Sequence, residues 1–319
     1  MRPYSRLHAR AILAVAAAAI AIPASSQEGS PTIRVDTRLV VLYASVADSR
    51  GRLLTNLPKD SFKVFENDVE QSIKVFKRED VPVSLALVID NSGSMRDKRA
   101  KVEAAAIDLV KASNPRDEVT IVNFNDEAWH DVPFTSDIKK MQEGVARIDS
   151  RGGTAMRDAI SSTLDYVRKQ AKHDKKVMLV ITDGNDNTSS LSLERLVQQA
   201  HQSEVLLYFI GLLNEEDRHE AKKAKRAIDT LAKASGGSAF YPNDINEVER
   251  DALEVASEIR NQYIIAYTPL NQSLDGSFRT VRVVAKGPGN PTVRTRTGYY
   301  ATPDQGQKPA QSARVQETQ

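Results

Sequence analysis

The amino-acid sequence predicts an α/β fold: a doubly wound, mostly parallel sheet flanked by helices, inserted into or flanked by a small β-sandwich-like domain. Three observations predict it. The apolar runs "VSLALVID", "KVMLVITD" and "VLLYFIG" are continuous rather than alternating, the pattern of strands buried on both faces. Segments of helical period separate them, and strands alternating with helices imply right-handed crossovers and a sheet covered on both sides. On either side of this region the chain alternates with a period of two, which is the pattern of half-buried strands.

Taken in order, residues 1–26 stand apart. Arg2, Arg6 and Arg10 precede "AILAVAAAAIAIPASSQ", an apolar run that closes on small residues. It is shorter than the roughly 20 residues a spanning helix needs. A basic start, a short apolar middle and a small-residue exit describe a signal peptide, cleaved near Gln27. The protein is therefore expected to be exported: periplasmic, secreted or associated with the cell surface, with no membrane span once the signal is gone. The formal charge of +2 includes those three arginines, so the mature chain is close to neutral. That is no footprint of a nucleic-acid binder. The chain has no cysteine, which removes thiolate metal sites and thiol nucleophiles.

Residues 27–80 read as the first half of a β-domain: "TRLVVLYASVAD", "SFKVFEND" and "QSIKVFK" alternate, and "SRGRL" is a turn. From 81 to 260 the α/β rhythm takes over. "VSLALVID" is followed by a helix over "DKRAKVEAAAIDLVKAS", with Val102, Ala105, Ala106, Leu109 and Val110 on one face. "EVTIVNF" is the next strand, with "EAWHDVPF" as an edge strand beside it. Helices follow at about 138–148 and 155–170, then the strand "KVMLVITD", the helix "SLERLVQQAHQS", the strand "VLLYFIG" and a long charged helix. The short strand "GGSAFY" and the helix "INEVERDALEVASEIR" complete the region. Residues 261–301 return to β with "QYIIAYTP", "SFRTVRVVAK" and "TVRTRTGYY". Each β-half is too short for a comfortable sheet domain, so the economical arrangement pairs them; two separate β-modules are the alternative. The polar tail, 302–319, reads as disordered.

In an open parallel sheet, sites gather at the carboxyl ends of the strands. Three polar clusters fall there: Asp90, Ser92 and Ser94 after one buried strand, Thr154 after two glycines before a helix, and Asp183 at the end of another strand. Each cluster alone is ordinary turn and cap chemistry. Together they offer two carboxylates and three hydroxyls, and oxygen-only ligands suit a hard cation such as Mg2+.

The Asp-x-Ser-x-Ser run, distant Thr and distant Asp resemble the metal-ion-dependent adhesion site of von Willebrand factor type A domains, a Rossmann-like fold. The resemblance covers roughly residues 81–260. It implies that Asp90, Ser92, Ser94, Thr154 and Asp183 hold Mg2+, with Mn2+ or Ca2+ as alternatives. It further implies that Ser92, Ser94 and Thr154 touch the metal while the two acids act largely through water, which leaves a position for a carboxylate from a partner protein. "DNSGSMRDK" is also similar to a longer acidic motif of integrin β-subunit domains, but Lys98 stands where a second acid is expected, so a second metal is not expected and Asp97 is read as a helix first-turn acid.

The function implied is a protein-binding module for adhesion or assembly, taking an Asp or Glu of a protein ligand, and not an enzyme. The alternatives are a metal-dependent hydrolase or phosphotransferase, or a scaffold whose metal is only structural. Hydrolysis needs a nucleophile or base beside the metal. An aspartyl-phosphate enzyme would want an acid where Ser92 stands, and His8, His130, His173, His201 and His219 are scattered.

Overall fold

The structure, a computed structural model, describes residues 39–145, 150–184, 186–213 and 217–303. The signal-peptide segment and the tail from residue 304 lie outside the described residues.

A six-stranded sheet forms the centre. Its strands are β5 (Val83–Asp90), β6 (Glu118–Phe124), β7 (Ala128–Thr135), β8 (Lys175–Thr182), β9 (Val205–Gly211) and β10 (Ala239–Phe240), in the order β10-β9-β8-β5-β6-β7. All pairings are parallel except β6 with β7, the antiparallel edge. Every residue of β5, β6 and β9 is buried, as the unbroken apolar runs require of strands covered on both faces. This mostly parallel, helix-flanked sheet is the fold class the sequence predicts.

The helices are α1 (Arg99–Lys111), α2 (Ile138–Val145), α3 (Met156–Gln170), α4 (Leu193–Gln202), α5 (Arg218–Ser235) and α6 (Val248–Arg260). One core joins the sheet to α1, α2 and α6, and a second joins its other face to α3, α4 and α5. The face predicted for α1 is buried at all five positions. Caps set the helix ends: Ser192 accepts from the Arg195 amide at the start of α4, and Asp217 from the His219 amide at the start of α5. Gly236 ends α5 at φ +89°, and a Cβ there would lie 2.3 Å from the Arg296 amide nitrogen, so both backbone conformation and space demand glycine.

The remaining strands are β1 (Val40–Ala47), β2 (Phe62–Glu66), β3 (Val69–Gln71), β4 (Ile73–Lys77), β11 (Tyr263–Tyr267), β12 (Phe278–Ala285), β13 (Thr292–Arg294) and β14 (Gly298–Tyr300). They make two four-stranded antiparallel sheets, β13-β1-β11-β4 and β14-β12-β2-β3. A third apolar core draws Val40, Leu42, Tyr263 and Ile265 from one sheet and Phe62, Val64, Val281 and Val283 from the other. Leu42 is opposite Ile265, and Val64 opposite Val283, so strands from before and after the α/β region share each sheet. Glu66 is buried in this core, where it accepts from the hydroxyls of Tyr267 (2.7 Å) and Tyr299 (2.8 Å) and pairs with Arg279 at 3.3 Å.

Two sequence readings need correction. "TVRTRTGYY" is two short strands on different sheets, and between them Arg296 donates to the carbonyls of His201 and Gly298 and ties the chain to α4. Asp97 is not in the first turn of α1: the helix starts at Arg99 and has no acid in that turn. No helix of the described residues is long and apolar enough to cross a membrane.

Candidate metal centre

The sheet delivers Asp90 and Asp183 to the same edge. β5 and β8 are paired in parallel with Ile89 opposite Ile181, so both strands run out at the same edge. Beyond Asp90 the backbone turns at once. The Ser92 amide donates to Asp90 Oδ1 at 2.9 Å, the Asn91 amide donates to the Phe124 carbonyl at 2.6 Å, and a 3-10 turn spans Gly93–Met95. That turn sets the Ser92 and Ser94 hydroxyl oxygens 3.1 Å apart.

The loop before α3 is pinned to this turn by backbone bonds. The Arg151 amide donates to the Asn91 carbonyl (2.9 Å), and the Gly93 amide donates to the Gly152 carbonyl (3.1 Å). From the far side, Asn125 Nδ2 donates to the Arg151 carbonyl at 2.9 Å, and Asp126 Oδ1 accepts the Gly153 amide at 3.0 Å. Gly152 has φ +77°, and a Cβ there would lie 2.2 Å from Asp126 Oδ2; the "GG" before Thr154 is thus a steric necessity of the loop. Thr154 is then oriented through its backbone: Asn187 Oδ1 accepts its amide at 3.0 Å, and its carbonyl accepts the amides of Asn187 and Thr188.

The third segment closes the cluster. Thr182 donates its hydroxyl to Asp90 Oδ2 at 2.6 Å, and that same hydroxyl oxygen accepts the Gly184 amide. Asp183, fully buried, accepts from Lys98 Nζ through Oδ2 at 3.3 Å. Its other oxygen, Oδ1, is buried and has no hydrogen-bond partner among the described residues.

The structure therefore gathers the segments bearing all five sequence-predicted residues. Asp90, Ser92, Thr154 and Asp183 are buried, whereas Ser94 is exposed, so the cluster is backed by the sheet and open on the Ser94 side. Burial, and then the charge of Asp183, push the Asp90 carboxyl up to about 7, against the hydrogen bonds from Thr182 and Ser92 that favour its ionised form. Two buried acids sharing one end of a sheet are short of positive charge. The donor set fits a hard divalent cation on two grounds: all its side-chain donor atoms are oxygens, and one carboxylate oxygen is buried with no partner among the described residues. Among the described residues no group of three or more His, Cys, Asp or Glu side chains is arranged to hold a metal ion; the cluster consists of two acids and three hydroxyls.

Sequence reasoning missed the supporting residues. Thr182 directly precedes Asp183 and could have been read as part of the strand-end cluster. Asn125, Asp126 and Asn187 carry no local signal, since each acts on a loop far away in the chain. Lys98 was read only as a departure from an acidic motif, and its contact with Asp183 spans 85 positions.

Residues 85–185 match the sequence model of the von Willebrand factor type A domain. Human integrin alpha-11 is 27% identical over 147 residues, which cover 43% of this chain and 12% of the integrin. Mouse calcium-activated chloride channel regulator 1 is 26% identical over 180 residues, 53% of this chain and 18% of that protein. The aligned stretches are thus a small part of both relatives. Among solved structures, a von Willebrand factor type A protein from Catenulispora acidiphila superposes with a TM-score of 0.50 at 16% identity, covering 82% of this chain and 75% of that one, a likeness of fold.

Proposed function

We propose that this chain, a von Willebrand factor type A domain protein, is an exported, metal-dependent protein-binding module for adhesion or assembly. The observation that carries the reading is the meeting of three loops at one sheet edge, with a buried Asp183 oxygen that has no hydrogen-bond partner among the described residues. The hydroxyls of Ser92, Ser94 and Thr154 and the carboxylates of Asp90 and Asp183 would hold Mg2+, or in its place Mn2+ or Ca2+. The cation would supply a Lewis-acid position for the Asp or Glu side chain of a protein ligand.

The chain's own residues prepare that position. Thr182 and the Ser92 amide orient Asp90. Asn187 and the glycine loop orient Thr154. The exposed side at Ser94 is the approach for a partner, since the opposite side is closed by β5, β6 and β8. The likeness to integrin alpha-11 supports a binding role over a catalytic one.

The test is Mn2+ binding to the mature chain by calorimetry, together with capture of ligand from the native source in Mg2+ and in chelator. Wild type is expected to bind the metal and to capture ligand only when metal is present. Thr154→Ala should weaken metal binding at least about tenfold and abolish capture. Equal metal binding by the two folded proteins would overturn the assignment.

A further inference from the structure

Lys98 is in an unfavourable place for a lysine. It occupies the N-cap position of α1, where a cation opposes the helix dipole and where it caps nothing through its side chain. It is also only 7% exposed, although lysine is almost never fully buried without a partner. Its ammonium reaches Asp183 Oδ2 at 3.3 Å, with the two side chains 8% and 0% exposed. The contact joins the start of α1 to the residue that follows β8.

We infer that Lys98 is a built-in counter-cation of this site, and that its ammonium and a divalent metal are alternative occupants of Asp183. The inference rests on the metal reading above. An ammonium supplies one positive charge to two buried acids, whereas a divalent ion supplies two. An ammonium and a divalent ion against one buried carboxylate repel each other strongly, because little solvent lies between them. Binding of metal therefore breaks the Lys98–Asp183 pair and sends the ammonium outward on its flexible four-carbon stem. Lys98 keeps the empty site folded and sets a threshold of divalent-ion concentration below which the module stays closed to ligand.

Mn2+ affinity of the mature chain distinguishes the possibilities, measured for wild type, Lys98→Met and Lys98→Arg, with folding checked by circular dichroism. Lys98→Met should tighten Mn2+ binding by about 10-fold to 100-fold, the range found when groups beside metal ligands are changed, and Lys98→Arg should not. Equal or weaker binding by Lys98→Met, in a chain whose wild type binds Mn2+, overturns the inference and leaves the metal site standing. If neither wild type nor Lys98→Met binds Mn2+, both ideas fall. A second measurement needs no variant: acetylation of Lys98 in wild type, followed by peptide mass spectrometry, should speed up when Mn2+ is added. Unchanged or slower labelling with Mn2+ bound would show that the ammonium stays inside, against the inference.

Discussion

Replacing Lys175 with methionine should stabilise this protein at mildly acidic pH. Lys175 begins β8 and is 4% exposed. Its ammonium donates to the Ile259 carbonyl in the last turn of α6 and lies 5.2 Å from the centre of the Tyr43 ring on β1. Burial, and then the neighbouring Arg260, lower its pKa from 10.5 to about 7, outweighing Asp80, Asp117 and Glu258. Those acids are engaged elsewhere: Arg260 pairs with Asp80 at 2.9 Å and with Asp117, and Glu258 pairs with Arg294. A lysine depressed that far carries a cost of roughly 5 kcal/mol when charged in the folded state. The sign follows from linkage. The unfolded chain holds the proton up to about 10.5 and the folded chain releases it near 7, so wild-type stability rises with pH between those values and is lost as pH falls through 7.

Methionine fills similar volume without charge. It forfeits the bond to the Ile259 carbonyl and the contact with Tyr43, together about 1–2 kcal/mol. The balance is a gain of about 3–4 kcal/mol at pH 6, or about 5 °C or more in Tm for a chain of this size. At pH 9.5 the gain should shrink to about zero, because most of the penalty has already gone. Urea unfolding of wild type and Lys175→Met at both pH values reads the difference. If Lys175→Met is the less stable protein at pH 6, the buried ammonium is well paired by its acidic neighbours and the reasoning is wrong.

Other expectations follow from the same structure. In chelator at pH 8, Asp90→Asn should be more stable than wild type, whose Asp90 has its pKa raised from 3.8 to about 7 and so loses stability as pH rises through that range; adding Mg2+ should reverse the order, as thermal melts would reveal. Glu66→Ala removes the buried carboxylate that Arg279 and two tyrosine hydroxyls share and should cost about 3–5 kcal/mol by chemical denaturation; a loss under 1 kcal/mol would contradict the burial argument. Gly152→Ala forces a Cβ against Asp126 and should weaken Mn2+ binding by displacing the Thr154 loop, with calorimetry as the check.

Much of the architecture was legible because its signal is local. The all-buried pattern of "VSLALVID" follows from the physics of a strand covered on both faces, and needs only eight neighbouring residues to read. The Asp90-x-Ser92-x-Ser94 run and the strand-end position of Asp183 were equally visible, since a parallel sheet puts such ends on one edge. The boundary of α1 was harder: Asp97 looks like a first-turn acid, yet the turn after Met95 delays the helix to Arg99. "TVRTRTGYY" reads as one β-stretch, and nothing local announces that it divides into two strands with Arg296 between them bonded to His201.

Periodicity reports which way a side chain faces, so burial, element type and the existence of a polar strand edge could be read from residue order alone. Which distant group a side chain meets depends on the path of the crossovers, and a one-residue change of register would alter it. Asp183 meeting Lys98 across 85 positions, and Glu66 meeting Tyr299 across 233, are decisions of that kind. They are settled when the sheet closes and water leaves, because a buried charge then takes whichever partner the packed chain has brought within reach.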